Sequence, residues 1–250
     1  MKLASCFSLA AVVCVAVCLL PGGAGAAEPD ADAEMLAGFA RNLKACDAAL
    51  AKTPESVPLR SRRGDCHLFL GEFAKAVADF EKMIALDPAQ DAPHWRLGIA
   101  YYFAGDYTKS ARQFAKYHAH DARDRENGIW KFLAQARTDG LEKARAEMLE
   151  YTRFDREPFP TLYEMFAGRK TTDEVFAEIE SKKLTNNGAV MFFAQYYGAL
   201  NEDLLGRREK ARELLNKAVA SPWGRTAEGG PAYMWQAARL HAARLDARGK

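Results

Sequence analysis

The chain has 250 residues, of which 49% are hydrophobic and 11% aromatic, and this composition is typical of a folded protein rather than a disordered one. Its 35 basic and 33 acidic residues leave a net charge of +2, which favours neither a nucleic acid nor an anionic membrane surface as partner. The apolar residues recur at helical spacing almost throughout, so the predicted class is all-α.

Residues 1–26 have the pattern of a secretory signal peptide. One positive charge at Lys2 precedes an apolar run over residues 3–20, and a small-residue site follows at 24–26. Cleavage there would start the mature chain near Ala27. The predicted location is therefore exported: the periplasm or cell envelope, or the medium.

Two other interpretations of this segment stay open. An uncleaved anchor is one, because 18 apolar residues are about long enough to span a bilayer. Lipidation at Cys14 or Cys18 is the other. Val13 and Val17 precede these cysteines where a lipoprotein has a small residue, which disfavours lipidation.

Residues 27–56 form a degenerate N-terminal repeat. Its helix places Met35, Phe39 and Leu43 on one apolar face and ends before Pro54. Pro54 lies 34 residues before Pro88, in register with the repeats that follow. Atypical end repeats are expected where one face meets water.

Residues 57–90 and 91–124 carry one pattern twice. A shift of 34 residues superposes identical pairs at Arg62/Arg96, Gly64/Gly98, Phe69/Phe103, Gly71/Gly105, Lys75/Lys109, Phe80/Phe114 and Asp87/Asp121. The first glycine of each copy suits a close approach of two helices, and the second suits a left-handed helix end. The period predicts helix–turn–helix hairpins that bury their apolar faces by stacking.

These two copies resemble the tetratricopeptide repeat family. The matching residues are Gly64, Gly71, Phe73, Ala76, Phe80 and Pro88 in the first copy, and Trp95, Gly98, Tyr101, Gly105, Tyr107 and Phe114 in the second. Ser110 and Ala122 depart from the alanine and proline of the family pattern. The resemblance implies an α-solenoid of stacked antiparallel helix hairpins that binds a protein or peptide.

The period weakens after the second copy. Four segments follow: a degenerate repeat at 125–152, an irregular helical connector at 153–190, a C-terminal repeat at 191–222, and a loop with a capping helix at 223–250. A turn-forming interruption is expected over 153–160. Thr171 and Glu174 predict a capping box at the start of a connector helix. Gly206 ends the first helix of the C-terminal repeat.

The first helices of the two strong copies carry the candidate partner-binding residues. Eight are predicted to line a concave groove: Arg62, Asp65, Phe69, Trp95, Arg96, Ile99, Tyr102 and Phe103. Aromatic and arginine side chains of this kind are enriched at interface hot spots. Two arginines at equivalent positions indicate a carboxylate-bearing partner, such as a peptide terminus. The alternative is that several of these residues pack against neighbouring helices.

Cys46 and Cys66 are the two cysteines that remain after removal of the signal segment. An oxidising compartment would allow a disulfide between them, worth about 3 kcal/mol in the chain-entropy model. The alternative is a pair of buried free thiols that act as small hydrophobes. The sequence leaves both open.

No cofactor, metal or catalytic residue is predicted. The best metal-like cluster is His118, His120, Asp121 and Asp124, but helical residues two apart point in different directions. A polar helix end explains these residues better. The Gly-Gly pair within 221–231 follows no strand and precedes no Lys-Ser or Lys-Thr, which argues against a phosphate loop.

The leading hypothesis is an exported, non-enzymatic scaffold that grips a protein or peptide in its groove. In overall plan the chain is also similar to NlpI-type lipoproteins of the bacterial envelope, at residues 127–145 and 192–220. That resemblance implies an adaptor for envelope proteases or cell-wall hydrolases. Two alternatives remain: an exported enzyme with its site in 153–188, and a structural subunit of an envelope complex. Contact with a membrane is expected only if the N-terminal segment is uncleaved or lipidated.

Overall fold

The computed structural model describes residues 31–248. The signal-like segment 1–26, with its three cysteines, lies outside that range. Between residues 31 and 248 the chain forms thirteen α-helices, one 3-10 turn at Pro88–Gln90 and no strand, which confirms the all-α prediction. None of the helices in this range is long and apolar enough to cross a membrane.

Consecutive helices pack as hairpins, and each hairpin stacks on the next. The helices are α1 Ala31–Leu50, α2 Val57–Phe69, α3 Phe73–Leu86, α4 Trp95–Ala104, α5 Tyr107–His120, α6 Arg125–Thr138, α7 Leu141–Ala146, α8 Phe159–Phe166, α9 Thr172–Ser181, α10 Gly188–Leu204, α11 Arg208–Val219, α12 Pro222–Thr226 and α13 Gly229–Ala247. The pairs α2/α3, α4/α5 and α10/α11 are the three full hairpins. The predicted solenoid of tetratricopeptide type is confirmed.

Glycine permits the close approach inside each of the two strong hairpins. A Cβ added at Gly64 would lie 2.5 Å from the Phe80 ring, and one at Gly98 would lie 2.7 Å from the Phe114 ring. Both rings are fully buried, so neither can move aside. The Gly and Phe positions therefore recur together in the sequence because both hairpins contain the same close contact between a glycine and a phenylalanine ring.

A second glycine ends the first helix of each hairpin. Gly71 and Gly105 have φ values of +82° and +85°, the left-handed region that other residues avoid. Gly140 after α6 and Gly206 after α10 do the same, with φ values of +84° and +76°. The degenerate third repeat thus retains its helix-ending glycine, although its second helix is only six residues long.

The connector contains two short helices, α8 and α9. The interruption predicted over 153–160 instead covers residues 147–158, and α8 begins at Phe159 with Pro160 in its first turn. Proline is tolerated there because the first-turn N–H groups have no partner within the helix. The capping box predicted at Thr171 and Glu174 is present at the start of α9.

The last helix, α13, lies across the first helices of the repeats. The Tyr233 ring packs edge-on against Phe69 of α2 and Trp95 of α4, with centroid distances of 4.8 and 4.9 Å. Further along, the His241 ring lies 4.7 Å from Phe103 and 5.9 Å from Trp130 of α6. We call the face of α2, α4 and α6 that α13 covers the inner groove.

Candidate partner-binding site

The structure corrects the expectation that Ile99, Tyr102 and Phe103 face an open groove. They are at most 3% exposed, and the His241 ring of α13 lies against the Tyr102 and Phe103 rings. Arg244 of α13 donates to the backbone carbonyl of Phe103, and its guanidinium lies 4.7 Å from the centre of that ring. The groove predicted for a partner therefore holds a helix of the same chain.

Two other groove residues pack against α13 but keep part of their surface. Phe69 and Trp95 are half-buried, and both contact Tyr233. Arg239 of α13 also donates to the Phe69 carbonyl at 2.9 Å. Of this pair, Trp95 is the one that reaches the opening described below.

The two equivalent arginines have different environments. Arg62 is exposed, whereas Arg96 is half-buried, donates to Asp65 at 2.5 Å and to Ser61 at 2.8 Å, and lies over the Phe80 ring. Burial raises the pKa of the Asp65 carboxyl to about 6 although Arg96 opposes the shift. The Arg96 guanidinium is thus engaged within the fold, and the expectation of two equivalent cations for a carboxylate-bearing partner is corrected.

Cys46 and Cys66 are buried free thiols in the structure. Burial raises the pKa of both thiols, that of Cys66 to about 11. A thiol with a raised pKa is protonated at neutral pH and therefore a poor nucleophile. The sequence left open a disulfide or two buried free thiols, and the structure has the two free thiols.

The members of the metal-like cluster point to separate partners. The His118 ring packs on Tyr151 at 4.9 Å, the His120 ring packs on Tyr117 at 6.0 Å, and Asp121 pairs with Arg123. Asp124 instead turns toward the opening of the inner groove. The four side chains are not brought together.

An opening of about 310 Å³ remains where the start of α13 meets α4 and α6. We call it the inner pocket. Aromatic, apolar and glycine residues line it together with charged or polar ones: Trp95, Ile99, Phe114, Trp130, Met234, Gly230 and Pro231, and Asp124, Glu126, Asn127 and Arg156. Pockets that bind ligands combine apolar walls with a few placed polar groups in this way.

The charged wall centres on Arg156, from the segment before α8. Its guanidinium lies 2.5 Å from Glu126, 3.3 Å from Asp155 and 3.6 Å from Asp124. It also lies 4.2 Å from the centre of the Phe159 ring. Three carboxylates therefore surround one guanidinium, and the wall has an excess of negative charge.

Glu126 connects this wall to α10. It accepts from the Tyr197 hydroxyl of α10 at 2.5 Å, and the Trp130 indole donates to the same hydroxyl at 3.1 Å. Burial, reinforced by Asp124, raises the pKa of the Glu126 carboxyl to about 7 although Arg156 opposes the shift. The pKa of Asp124 is also raised, again mainly by burial.

Backbone capping positions the charged wall. Asp124 is the N-cap of α6: it accepts from the Glu126 N–H at 3.0 Å and from the Asn127 side chain at 2.6 Å. Asp155 accepts from the Arg125 N–H at 2.9 Å and so joins the connector to the start of α6. The wall is therefore built on the rigid first turn of a helix.

Sequence reasoning missed Glu126, Trp130, Arg156 and Tyr197. Glu126 and Arg156 are 30 residues apart, and Glu126 and Tyr197 are 71 apart, in segments where the repeat pattern is weak. The available signal was Trp130, an aromatic residue on the first helix of the third repeat. Its periodicity marks it as core, and it is indeed 1% exposed.

Comparison with known protein families finds a match in the first strong repeat. The family model for the tetratricopeptide repeat matches residues 58–90. Residues 58–90 are a tetratricopeptide repeat. A search of curated proteins finds no chain similar to this one.

The matched tetratricopeptide repeat is the α2/α3 hairpin. The α4/α5 hairpin repeats its Gly–Phe contact and its left-handed glycine, so both strong copies have the same local structure. Tetratricopeptide repeats are generally interaction modules rather than enzymes, and they commonly bind proteins or peptides.

Proposed function

We propose that the protein is a non-enzymatic scaffold that binds a protein partner through the inner pocket. The observation that carries the proposal is the pocket itself, an aromatic and charged opening left in a groove that α13 otherwise fills. The tetratricopeptide repeat at 58–90 supports the same class of function. The site differs from the one expected at Arg62, Arg96 and Tyr102.

The size and composition of the pocket support an anchoring role. Its volume of about 310 Å³ is at the small end for ligand sites, which suits one or two side chains of a partner rather than a whole cofactor. Tryptophan and arginine are the side chains that most often dominate binding energy at interfaces. Trp95 is half-buried and Arg156 half-exposed, so both present surface to a partner.

The proposed place of action is the cell envelope. Support comes from the signal-like residues 1–26 and from the similarity in plan to envelope adaptors. Fractionation of cells expressing the full chain, followed by N-terminal mass spectrometry, tests this part. A mature chain starting near Ala27 outside the cytoplasm is expected, and a full-length cytoplasmic chain would contradict export.

Blocking the pocket without disturbing the core tests the binding site. Gly230 lines the pocket, and a Cβ there meets no atom within 4 Å. Gly230→Phe should therefore fill the opening while the fold is kept. Ala40→Phe, on the exposed face of α1, adds the same ring elsewhere and serves as the matched control.

Both variants and the parent, each starting at Ala27, would be used to capture partners from an envelope extract. A captured protein would then be purified and its Kd measured with each of the three. We expect binding to the parent and to Ala40→Phe, and at least tenfold weaker binding to Gly230→Phe. Equal binding by all three would place the partner elsewhere on the scaffold, and no capture by the parent would contradict the proposed function.

A further inference from the structure

The charge of the inner pocket indicates what kind of side chain it accepts. Asp124, Glu126 and Arg156 are its charged lining residues, and Asp155 lies behind Arg156 with its side chain only 8% exposed. Three carboxylates against one guanidinium leave up to two negative charges uncompensated. A positively charged group entering the pocket would be attracted by this excess, and more strongly than in water because the site is partly buried.

The aromatic lining residues are also suited to a cation. Trp95 and Trp130 line the pocket, and indole rings attract ammonium and guanidinium groups more strongly than other aromatic rings do. The thioether of Met234 adds an apolar contact for the stem of a long side chain. Lysine and arginine combine such an apolar stem with a charged head.

Arg156, the only cationic residue among the described ones that line the pocket, is already engaged by carboxylates. The Arg156 guanidinium is within 3.6 Å of all three carboxylates and is stacked on Phe159. A carboxylate or phosphate would have to displace one of these carboxylates and would then face the others. This is the reverse of the carboxylate-bearing partner expected from Arg62 and Arg96.

We propose that the inner pocket binds a lysine or arginine side chain of the partner. This inference rests on the proposed function and adds the chemical class of the anchoring residue. The cation would lie between the Asp124 and Glu126 carboxylates at the start of α6 and the Trp95 indole of α4. Its aliphatic stem would pass Met234 at the mouth.

The test uses capped pentapeptides, acetyl-Gly-Ser-Xaa-Ser-Gly-amide, with Xaa as lysine, arginine, norleucine or glutamate. Norleucine is the matched control because it keeps the straight aliphatic stem and lacks the charge. Binding to the full chain from Ala27 would be followed by shifts of the Trp95 and Trp130 indole N–H signals in NMR. We expect the lysine or arginine peptide to bind at least tenfold more tightly than norleucine, and the glutamate peptide more weakly still.

Two variants assign the preference to the charged wall. Glu126→Gln and Asp124→Asn each remove one negative charge, and asparagine caps a helix about as well as aspartate does. Each should reduce the lysine-to-norleucine preference about three- to tenfold. Glu142→Gln, at a side chain that is 95% exposed on α7, removes a charge outside the pocket and should leave the preference unchanged.

The preference should also depend on pH. Glu126 is faced by Asp124, Asp155 and Arg156 and by the Tyr197 hydroxyl, and burial raises the pKa of its carboxyl to about 7. Ionisation of this carboxyl between pH 6 and 8 should tighten binding of the lysine peptide severalfold and leave norleucine unaffected. In Glu126→Gln that dependence should largely disappear.

Equal binding of lysine and norleucine, tighter binding of glutamate, or no indole shift with any peptide up to 10 mM would each overturn the inference. If one of these results is found but the captured protein still binds Gly230→Phe more weakly than Ala40→Phe, the proposed function stands and only the cationic anchor fails. If the lysine preference holds while the extract yields no protein that Gly230→Phe loses, the proposed function fails instead.

Discussion

The packing of α4 against α5 depends on the absence of a side chain at Gly98. A methyl group there would lie 2.7 Å from the Phe114 ring, which is fully buried and held by its neighbours. Gly98→Ala should therefore lower the free energy of unfolding by roughly 1–3 kcal/mol, in spite of the better helix propensity of alanine. Urea denaturation followed by circular dichroism measures the change.

Gly38 provides the matched control. It lies within α1, and a Cβ there meets only the end of the Arg41 side chain at 3.8 Å. Gly38→Ala should raise the free energy of unfolding by up to about 1 kcal/mol, since only helix propensity acts. A loss of stability in both variants would mean that helix geometry, rather than the Phe114 contact, sets the requirement for glycine.

The two cysteines lead to a prediction about reactivity. Burial raises the pKa of Cys66 to about 11, and the pKa of Cys46 is also above its usual value. At pH 8 the native protein should therefore react with iodoacetamide at least tenfold more slowly than a free thiol does, because the reactive thiolate is scarce and covered. In guanidinium chloride without reductant, both should alkylate completely. Failure of unfolded chains to alkylate would show a bridge.

Glu126 should make stability depend on pH in a defined direction. The pKa of its carboxyl rises from an ordinary value of 4.5 to about 7 on folding, so the native state holds this proton more tightly than the unfolded state. Its contribution to stability is present below pH 4.5 and is lost as the pH rises through 7. His241, whose pKa burial lowers well below 6.5, acts in the opposite sense and loses its contribution as the pH falls.

The contribution of Glu126 to the pH dependence of stability can be isolated by comparing the Glu126→Gln variant with the parent. Between pH 5 and pH 8, the free energy of unfolding of Glu126→Gln relative to that of the parent should rise by roughly 1–3 kcal/mol, since glutamine does not ionise. Denaturant titrations of both proteins at several pH values measure it. Parallel pH curves would show that Glu126 has an ordinary pKa in the folded protein.

At the scale of elements, α13 joins the two ends of the described chain. Gln236 donates to the Met35 sulfur of α1 at 3.1 Å, and Tyr233 packs against both α2 and α4. Tyr233→Ala should lower the free energy of unfolding by about 3–5 kcal/mol, because a buried aromatic ring is lost from a packed contact. Tyr233→Phe keeps the ring and should retain most of the stability. If both variants lost the same stability, the cause would be the Tyr233 hydroxyl beside Asp65 rather than the ring.

The helices themselves were largely predictable, because local rules determine them. Gly71 and Gly105 mark helix ends by their left-handed backbone, and Thr171 with Glu174 forms the expected capping box. The position of α13 was not predictable in this way. Tyr233, Trp235 and His241 are all buried, since the helix packs against α11 on one side and the inner groove on the other.

The inner pocket could not be predicted from the sequence, for a different reason. Its charged wall joins Glu126 to Arg156, and the Trp130 indole behind it hydrogen-bonds to Tyr197, both across long separations. No periodic pattern relates such residues, because the contacts depend on how the irregular connector folds back. The groove prediction failed at Tyr102 for the same reason: it treated the inner face as uncovered, whereas α13 covers it.

At the scale of the whole molecule, these contacts predict cooperative unfolding. An open solenoid depends on contacts between neighbouring repeats, so its ends can unfold separately. Here Arg225 pairs with Asp32 at 2.8 Å, and Arg239 donates to the Phe69 carbonyl, which ties the C-terminal helices to the first ones. We expect the transitions followed by circular dichroism and by tryptophan fluorescence to coincide in guanidinium chloride. Separate midpoints would show that the ends unfold independently.

The contact between α13 and the inner groove also has a consequence for biosynthesis. Phe103 and Arg244 are 141 residues apart in the chain. At a translation rate of 5–20 residues per second, the aromatic face of α2 and α4 is made roughly 7–30 s before the helix that covers it. During each round of synthesis, the nascent chain thus presents a hydrophobic surface that the finished protein hides, and this interval is when it would need a chaperone.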